Sequence, residues 1–172
     1  YDPMPDTWTK MDAILAHWQG HGVDGFACHH ADLIPLEAWT WLIDQARARD
    51  PEVYFVADAE STDNAELDAL LGVGFDAVNH DAGYRELKRL YQGNASQNSY
   101  AAVMFGVDDP ERPHYAQYLE THAERRLASP VVPSPEPGDS GFGSKEAGYQ
   151  LAPVAYLFGG APILIYNGQE VG

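Results

Sequence analysis

Short, continuous apolar runs set between helix-period segments constrain this chain more than any other feature. Val53-Tyr-Phe-Val-Ala57 is the clearest run; Gly22 to Cys28 is largely apolar and punctuated by glycine, and Phe75 to Val78, Tyr115 to Leu119 and Pro162 to Tyr166 also read as strands. A strand apolar on both faces needs cover on both, and a parallel sheet flanked by helices supplies it. The segments between carry the other period. Trp8, Met11, Ile14, Leu15 and Trp18 recur at three- and four-residue steps, which predicts a helix over 8–21. Pro35 opens a second helix, Leu36 to Arg49, with Trp39, Leu42, Ile43 and Ala46 on one face, and Asp50-Pro51 stops it. Shorter helices are expected over Leu67 to Leu71 and Tyr84 to Tyr91, and a longer one, carrying Pro153, over Lys145 to Phe158. Ala101 to Gly106 is apolar but too short for its period to decide between strand and helix.

Strands recur about every 25–40 residues, enough for a strand–crossover–strand unit. A doubly wound sheet and a (β/α) barrel both fit that order. No Gly-x-Gly-x-x-Gly or phosphate loop follows a strand, which weakens the nucleotide-binding version. Residues 129–144 hold Pro130, Pro133, Pro135 and Pro137 among glycines and serines and read as an exposed loop in an otherwise single domain over 1–172.

Composition narrows the function. Ten Lys plus Arg face 26 Asp plus Glu, a formal charge of −16. That balance excludes a nucleic-acid partner, and Lys10, Lys88 and Lys145 form no polybasic membrane patch. No apolar run reaches transmembrane length and no signal-peptide pattern is present, so a soluble chain of undetermined compartment is expected. Cys28 stands alone, so no internal disulfide framework exists. The chain opens on Tyr1 rather than Met, which points to a processed or excised chain.

Gly22-Val-Asp-Gly-Phe-Ala-Cys-His-His-Ala31 resembles the fourth-strand motif of the α-amylase family, glycoside hydrolase family 13, which reads Gly-Val-Asp-Gly-Phe-Arg-x-Asp. Asp50-Pro-Glu-Val-Tyr-Phe-Val-Ala-Asp-Ala59 is similar to the fifth, with its Phe-x-x-Glu, and Gly74-Phe-Asp-Ala-Val78 to the sixth. Tyr118-Leu-Glu-Thr-His-Ala-Glu-Arg-Arg126 is similar to the seventh, Phe-Leu-Glu-Asn-His-Asp-Glu-Arg-Arg, and Pro162 to Gly172 to the eighth. The resemblance is ordered and covers nearly the whole chain. It implies an α/β fold, a parallel (β/α) barrel of TIM type, partial, with about five strand–helix units matching strands four to eight. Nothing matches strands one to three. Five strands leave two raw edges, so a complementary barrel half or self-association is expected.

The resemblance also implies a catalytic set, and here the chain departs from it. The family's nucleophile position is His29, its acid/base position Asp58 and its third carboxylate position Ala123. The arginine that orients the nucleophile is replaced by Ala27, the Asn before the family's substrate-binding His by Thr121, and that His is His122; His30 follows the nucleophile position. Retaining glycosidases pass through an oxocarbenium-like transition state that needs negative charge beside it. A neutral imidazole supplies none and a protonated one repels it. Asp58 is one methylene short of Glu, which withdraws its carboxyl by roughly 1.5 Å, and errors of about 1 Å already cost on the order of a hundredfold in rate.

The expected chain is therefore an α-amylase-like glycoside hydrolase domain that has lost hydrolysis and acts as a carbohydrate-binding or structural partner, α-glucans being the implied ligand class. No cofactor is expected. Two alternatives stand beside it. One is an active α-glucan hydrolase or transglycosidase whose site aligns differently. The other is a metal site on the barrel face, drawn from His29, Asp58, His80 and His122, with Cys28 and Glu60 near; imidazole and carboxylate mixtures suit zinc, nickel or copper. Helical spacing puts Trp18, Trp39 and Trp8 into packing, and leaves Trp41 off that face as a partner contact. Cys28, with no base in reach by sequence, reads as an inert thiol. Asn94-Ala-Ser96 matches a glycosylation triplet, which has meaning only in a secreted eukaryotic protein.

Overall fold

A computed structural model describes residues 3–59, 63–79, 81–105, 114–132, 140–157 and 161–171. The chain divides into two compact units, Tyr1–Val78 and Asn79–Gly172.

The first unit runs α1 (Asp6–Gln19), β1 (Gly25–His29), a 3-10 turn (Ala31–Leu33), α2 (Leu36–Arg49), β2 (Tyr54–Asp58), α3 (Asn64–Gly72) and the start of β3 (Ala77–Asn79). β1 pairs with β2 in parallel, Gly25 opposite Tyr54 through to His29 opposite Asp58, and β2 with β3, Val56 opposite Ala77. The two-residue period of a strand sorts the side chains. Phe55 and Ala57 are fully buried, whereas Tyr54, on the other face, is 40% exposed. The buried face meets α2, whose Ala38, Trp39, Leu42, Ile43 and Ala46 form the inward stripe the sequence predicts. Phe75 joins this core edge-on to Trp39 and Phe55, at ring-centroid distances of 5.0 and 6.3 Å. Polar groups hold the ends. Asp63 caps α3 by accepting the Ala65 N–H at 2.9 Å, Trp39 Nε1 donates to the Ala31 carbonyl at 2.9 Å, and Asp76 accepts the Phe55 N–H at 2.7 Å and the Arg47 guanidinium at 2.9 Å. Gly74 lies at φ +115, where a side chain is strained, and an added Cβ would come within 3.2 Å of Ile43 Cγ2.

One packing expectation is corrected here. Trp18 continues the apolar stripe of α1, yet it is 49% exposed, as are Met11 at 42% and Ile14 at 49%. Leu15 is the buried residue of this helix. The periodicity is present, but the face it builds is exposed, and Trp18 meets His17 edge-on at 5.3 Å and His21 tilted at 6.1 Å. Trp41 is half-buried, its ring 6.2 Å from that of the half-buried Trp8.

The second unit holds the end of β3 and then α4 (Asp81–Tyr91), α5 (Gln97–Phe105), β4 (Tyr115–Tyr118), α6 (Lys145–Tyr156) and β5 (Ile163–Leu164). β4 and β5 are parallel, Gln117 opposite Ile163. The segment around Ala101 is helical. The core joins Tyr84, Leu87, Tyr100, Met104, Tyr118 and Leu127 with Phe142. All four residues of β4 are buried, so its run is apolar or internally bonded throughout; Gln117 Nε2 donates to the Tyr115 carbonyl at 2.8 Å. Of the expected 129–144 loop, residues 133–139 lie outside the described residues, as does Phe158 at the expected end of α6.

Candidate functional site

The parallel register builds the first part of the site. Ala27 and His29 point to one face of β1, and their partners on β2 are Val56 and Asp58. Strands lie about 4.8 Å apart, so short polar side chains at paired positions on one face meet directly. The His29 ring Nδ1 and Asp58 Oδ2 are 2.5 Å apart, with side chains 53% and 31% exposed. The contact is a hydrogen bond when the imidazole is neutral and an ion pair when it is protonated. The face around it is open, since Ala27 is also exposed.

His30 leaves the strand. Its φ of 51 makes it the one non-glycine residue with positive φ among the described residues, and it opens the 3-10 turn. The left-handed backbone costs about 1 kcal/mol or more. The sharp turn breaks the strand alternation after His29, so His29 alone of the two keeps a strand-face position.

Cys28 lies on the opposite face from His29, and burial pushes its thiol up to about 12. A thiol so shifted has little thiolate at pH 8, and its greater intrinsic nucleophilicity offsets only part of that loss. Alkylation of Cys28 by iodoacetamide in the native chain is expected to run roughly fifty- to a hundredfold slower than that of glutathione. A native rate within threefold of glutathione's would contradict the inert reading.

The second unit carries the remaining candidates just beyond β4. Thr121 Oγ1 accepts the Ala123 N–H at 3.2 Å, a local turn that leaves His122 and Ala123 exposed. His80 and Glu60 lie outside the described residues. Of the candidate metal ligands, His29 and Asp58 meet within the first unit, where each already bonds the other.

Sequence reasoning missed a buried polar network in the second unit. Lys88, 1% exposed, donates to the Tyr84 hydroxyl at 2.7 Å, and that hydroxyl donates to Glu124 Oε2 at 3.0 Å. Lys88 Nζ lies 3.7 Å from Glu124 and 4.8 Å from the centroid of the Tyr84 ring. The Tyr118 hydroxyl donates to Asp81, which Arg85 also faces at 2.5 Å. Burial, then the adjacent carboxylates, push both tyrosine hydroxyls far above their usual range, so they stay protonated donors. The signal was available. Asp81, Tyr84, Arg85 and Lys88 fall at steps of three, four and seven, one helical face, once α4 is read from Asp81 rather than Tyr84.

Comparison with known proteins places this geometry. No protein-family profile matches the chain. Alpha-1,4-glucan:maltose-1-phosphate maltosyltransferase of Burkholderia pseudomallei is 31% identical over 88 residues, covering 51% of this chain and 8% of that protein. The enzyme of the same name from Pseudomonas aeruginosa is 33% identical over 72 residues, 42% of this chain and 11% of that protein. The chain thus spans about a tenth of the length of these relatives. Among solved structures, the cyclic α-maltosyl-(1→6)-maltose hydrolase of Arthrobacter globiformis matches 98% of this chain and 36% of its own, with TM-score 0.76 and 17% identity. An α-amylase from Lactobacillus plantarum matches 96% of this chain and 39% of its own, with TM-score 0.70 and 24% identity. The fold is the partial parallel (β/α) barrel that the sequence predicts, and α-amylase-type enzymes are what the chain resembles in both sequence and structure.

Proposed function

We propose that this chain is an α-amylase-like portion of a barrel that has lost glycoside hydrolysis and serves as a carbohydrate-binding or structural partner. The contact between His29 and Asp58 carries this reading. Retaining glycosidases hold two carboxyl groups about 5–5.5 Å apart with the reacting sugar carbon between them. Here the side chains at the nucleophile and acid/base positions bond each other at 2.5 Å, and no sugar fits between bonded atoms. Neither position offers a free carboxylate nucleophile, and Ala123 brings none at the third.

The names of the relatives and neighbours support an α-glucan as the ligand class, since they name an α-1,4-glucan:maltose-1-phosphate maltosyltransferase, a cyclic α-maltosyl-(1→6)-maltose hydrolase and an α-amylase. Calorimetry with maltoheptaose is the test. Saturable heat, with the sugar recovered uncleaved, is the expected result. Absence of heat at millimolar sugar would reduce the role to a structural one, and recovery of shorter sugars would overturn the reading.

The exposed apolar groups support a partner. Met11, Ile14 and Trp18 form a stripe on α1, and Ile163, Leu164 and Ile165, 46%, 38% and 64% exposed, crowd the last strand. Such surfaces are interaction sites more often than free surface. Complementary strand–helix units, from another segment or a second copy, would cover them. Light scattering is expected to show association of the isolated chain, and a monodisperse monomer with a cooperative thermal transition would contradict it.

A further inference from the structure

A cavity of about 320 Å³, whose lining includes neither His29 nor Asp58, lies among the 3-10 turn, the start of α2 and α3. Leu33, Ile34, Leu36 and Leu70 supply apolar wall, and Asp32 and Glu66 supply two carboxylates. Among the described residues no Lys, Arg or His lines it. Leu33 is 74% exposed, Ile34 41% and Leu36 39%, three large apolar side chains at one mouth.

Asp32 is the informative residue. Its Oδ1 is shielded from solvent, yet it makes no hydrogen bond. A buried carboxylate oxygen without a donor is costly, and folded proteins rarely leave one so. The turn that holds it is fixed from behind, since Ala31 is fully buried and its carbonyl accepts Trp39 Nε1 at 2.9 Å. Asp32 is partly exposed as a residue, but the fixed turn keeps its Oδ1 on the shielded side. Asp32 Oδ1 is left without a donor, and the site carries negative charge beside apolar surface in a chain of formal charge −16.

We propose that this cavity binds a small organic ammonium ion, its N–H donating to Asp32 Oδ1 and its apolar body lying against Leu33, Ile34 and Leu70. An ammonium matches both features, because a charge-assisted hydrogen bond to a carboxylate is stronger than a neutral one. A neutral alcohol would satisfy the oxygen without the charge, and a carboxylate would be repelled.

The test is amide chemical-shift perturbation of the whole chain titrated with hexylammonium chloride, 1-hexanol and sodium hexanoate. Saturable hexylammonium shifts confined to residues 31–36 and 66–70 are expected, with a Kd about tenfold or more below that of hexanol and no binding of hexanoate. Asp32→Asn should abolish the preference for ammonium over alcohol. Leu33→Gln, at an exposed position that folding tolerates, should weaken ammonium and alcohol alike and keeps the test sharp if the Asp32 variant is unstable. Equal affinity for alcohol and ammonium, shifts elsewhere on the chain, or no saturable shift would each overturn the proposal.

Discussion

Glu120→Ala is expected to lower the hydrogen-exchange protection of the Leu127 amide by on the order of a hundredfold, or about 3 kcal/mol. Glu120 is completely buried. Its Oε2 accepts the Leu127 N–H at 3.0 Å and its Oε1 lies 2.6 Å from Arg126 Nη1. Truncation strands a buried N–H, empties the space of a carboxylate and leaves the guanidinium one partner fewer. Arg126 also donates to the Asn167 carbonyl at 3.1 Å, so the loss loosens the turn after β5 as well. Its 39% exposure lets water replace part of what it loses, which keeps the cost at the lower end of the range for broken buried pairs. Glu120→Gln retains one acceptor for Leu127 and should cost less than half as much. A change below threefold in either variant would mean that Glu120 is dispensable to this unit. The amide is the right reporter because Trp8, Trp18, Trp39 and Trp41 all lie in the first unit.

Reinstating the family's groups is expected to give the largest functional change. Ala27→Arg, His29→Asp, Asp58→Glu and Ala123→Asp together, with strand–helix units matching the family's first three present from a relative's barrel, should raise cleavage of an aryl α-glucoside at least a thousandfold above the same assembly with the unaltered chain. Each single change should move the rate less than tenfold, because catalytic groups that act as a unit are strongly non-additive. His29→Asp alone places two carboxylates within reach of one another and still lacks an acid of the right length. Full recovery from one substitution would show that the roles are assigned to the wrong residues.

The elements legible in the sequence are those whose local pattern and tertiary burial agree. α2 is bounded by Pro35 and Asp50 and buries the stripe its spacing predicts, so its limits match residue for residue. β2 lies within one residue of its apolar run because Phe55 and Ala57 are buried on one face and Val56 is half-buried on the other. α5 is not decidable from sequence because its apolar stretch from Ala101 is too short for a period to show. α1 shows the opposite limit. Its stripe is regular, but periodicity says which residues share a face and not whether that face is covered, and Trp18 is exposed. The pairing of His29 with Asp58 needed the strand register, since the sequence marks both as site positions but not their separation. The network around Lys88 was hidden because a buried lysine looks like a surface one until its partners on the same helical face are counted.

His29 and Asp58 bond each other, and the proposed loss of hydrolysis rests on that contact. Release of nitrophenol from an activated α-glucoside by the unaltered chain tests it most directly. A rate indistinguishable from the buffer blank is expected. Reproducible turnover that Asp58→Asn abolishes would contradict it, because Asp58 would then be working as a free carboxyl rather than as the partner of His29.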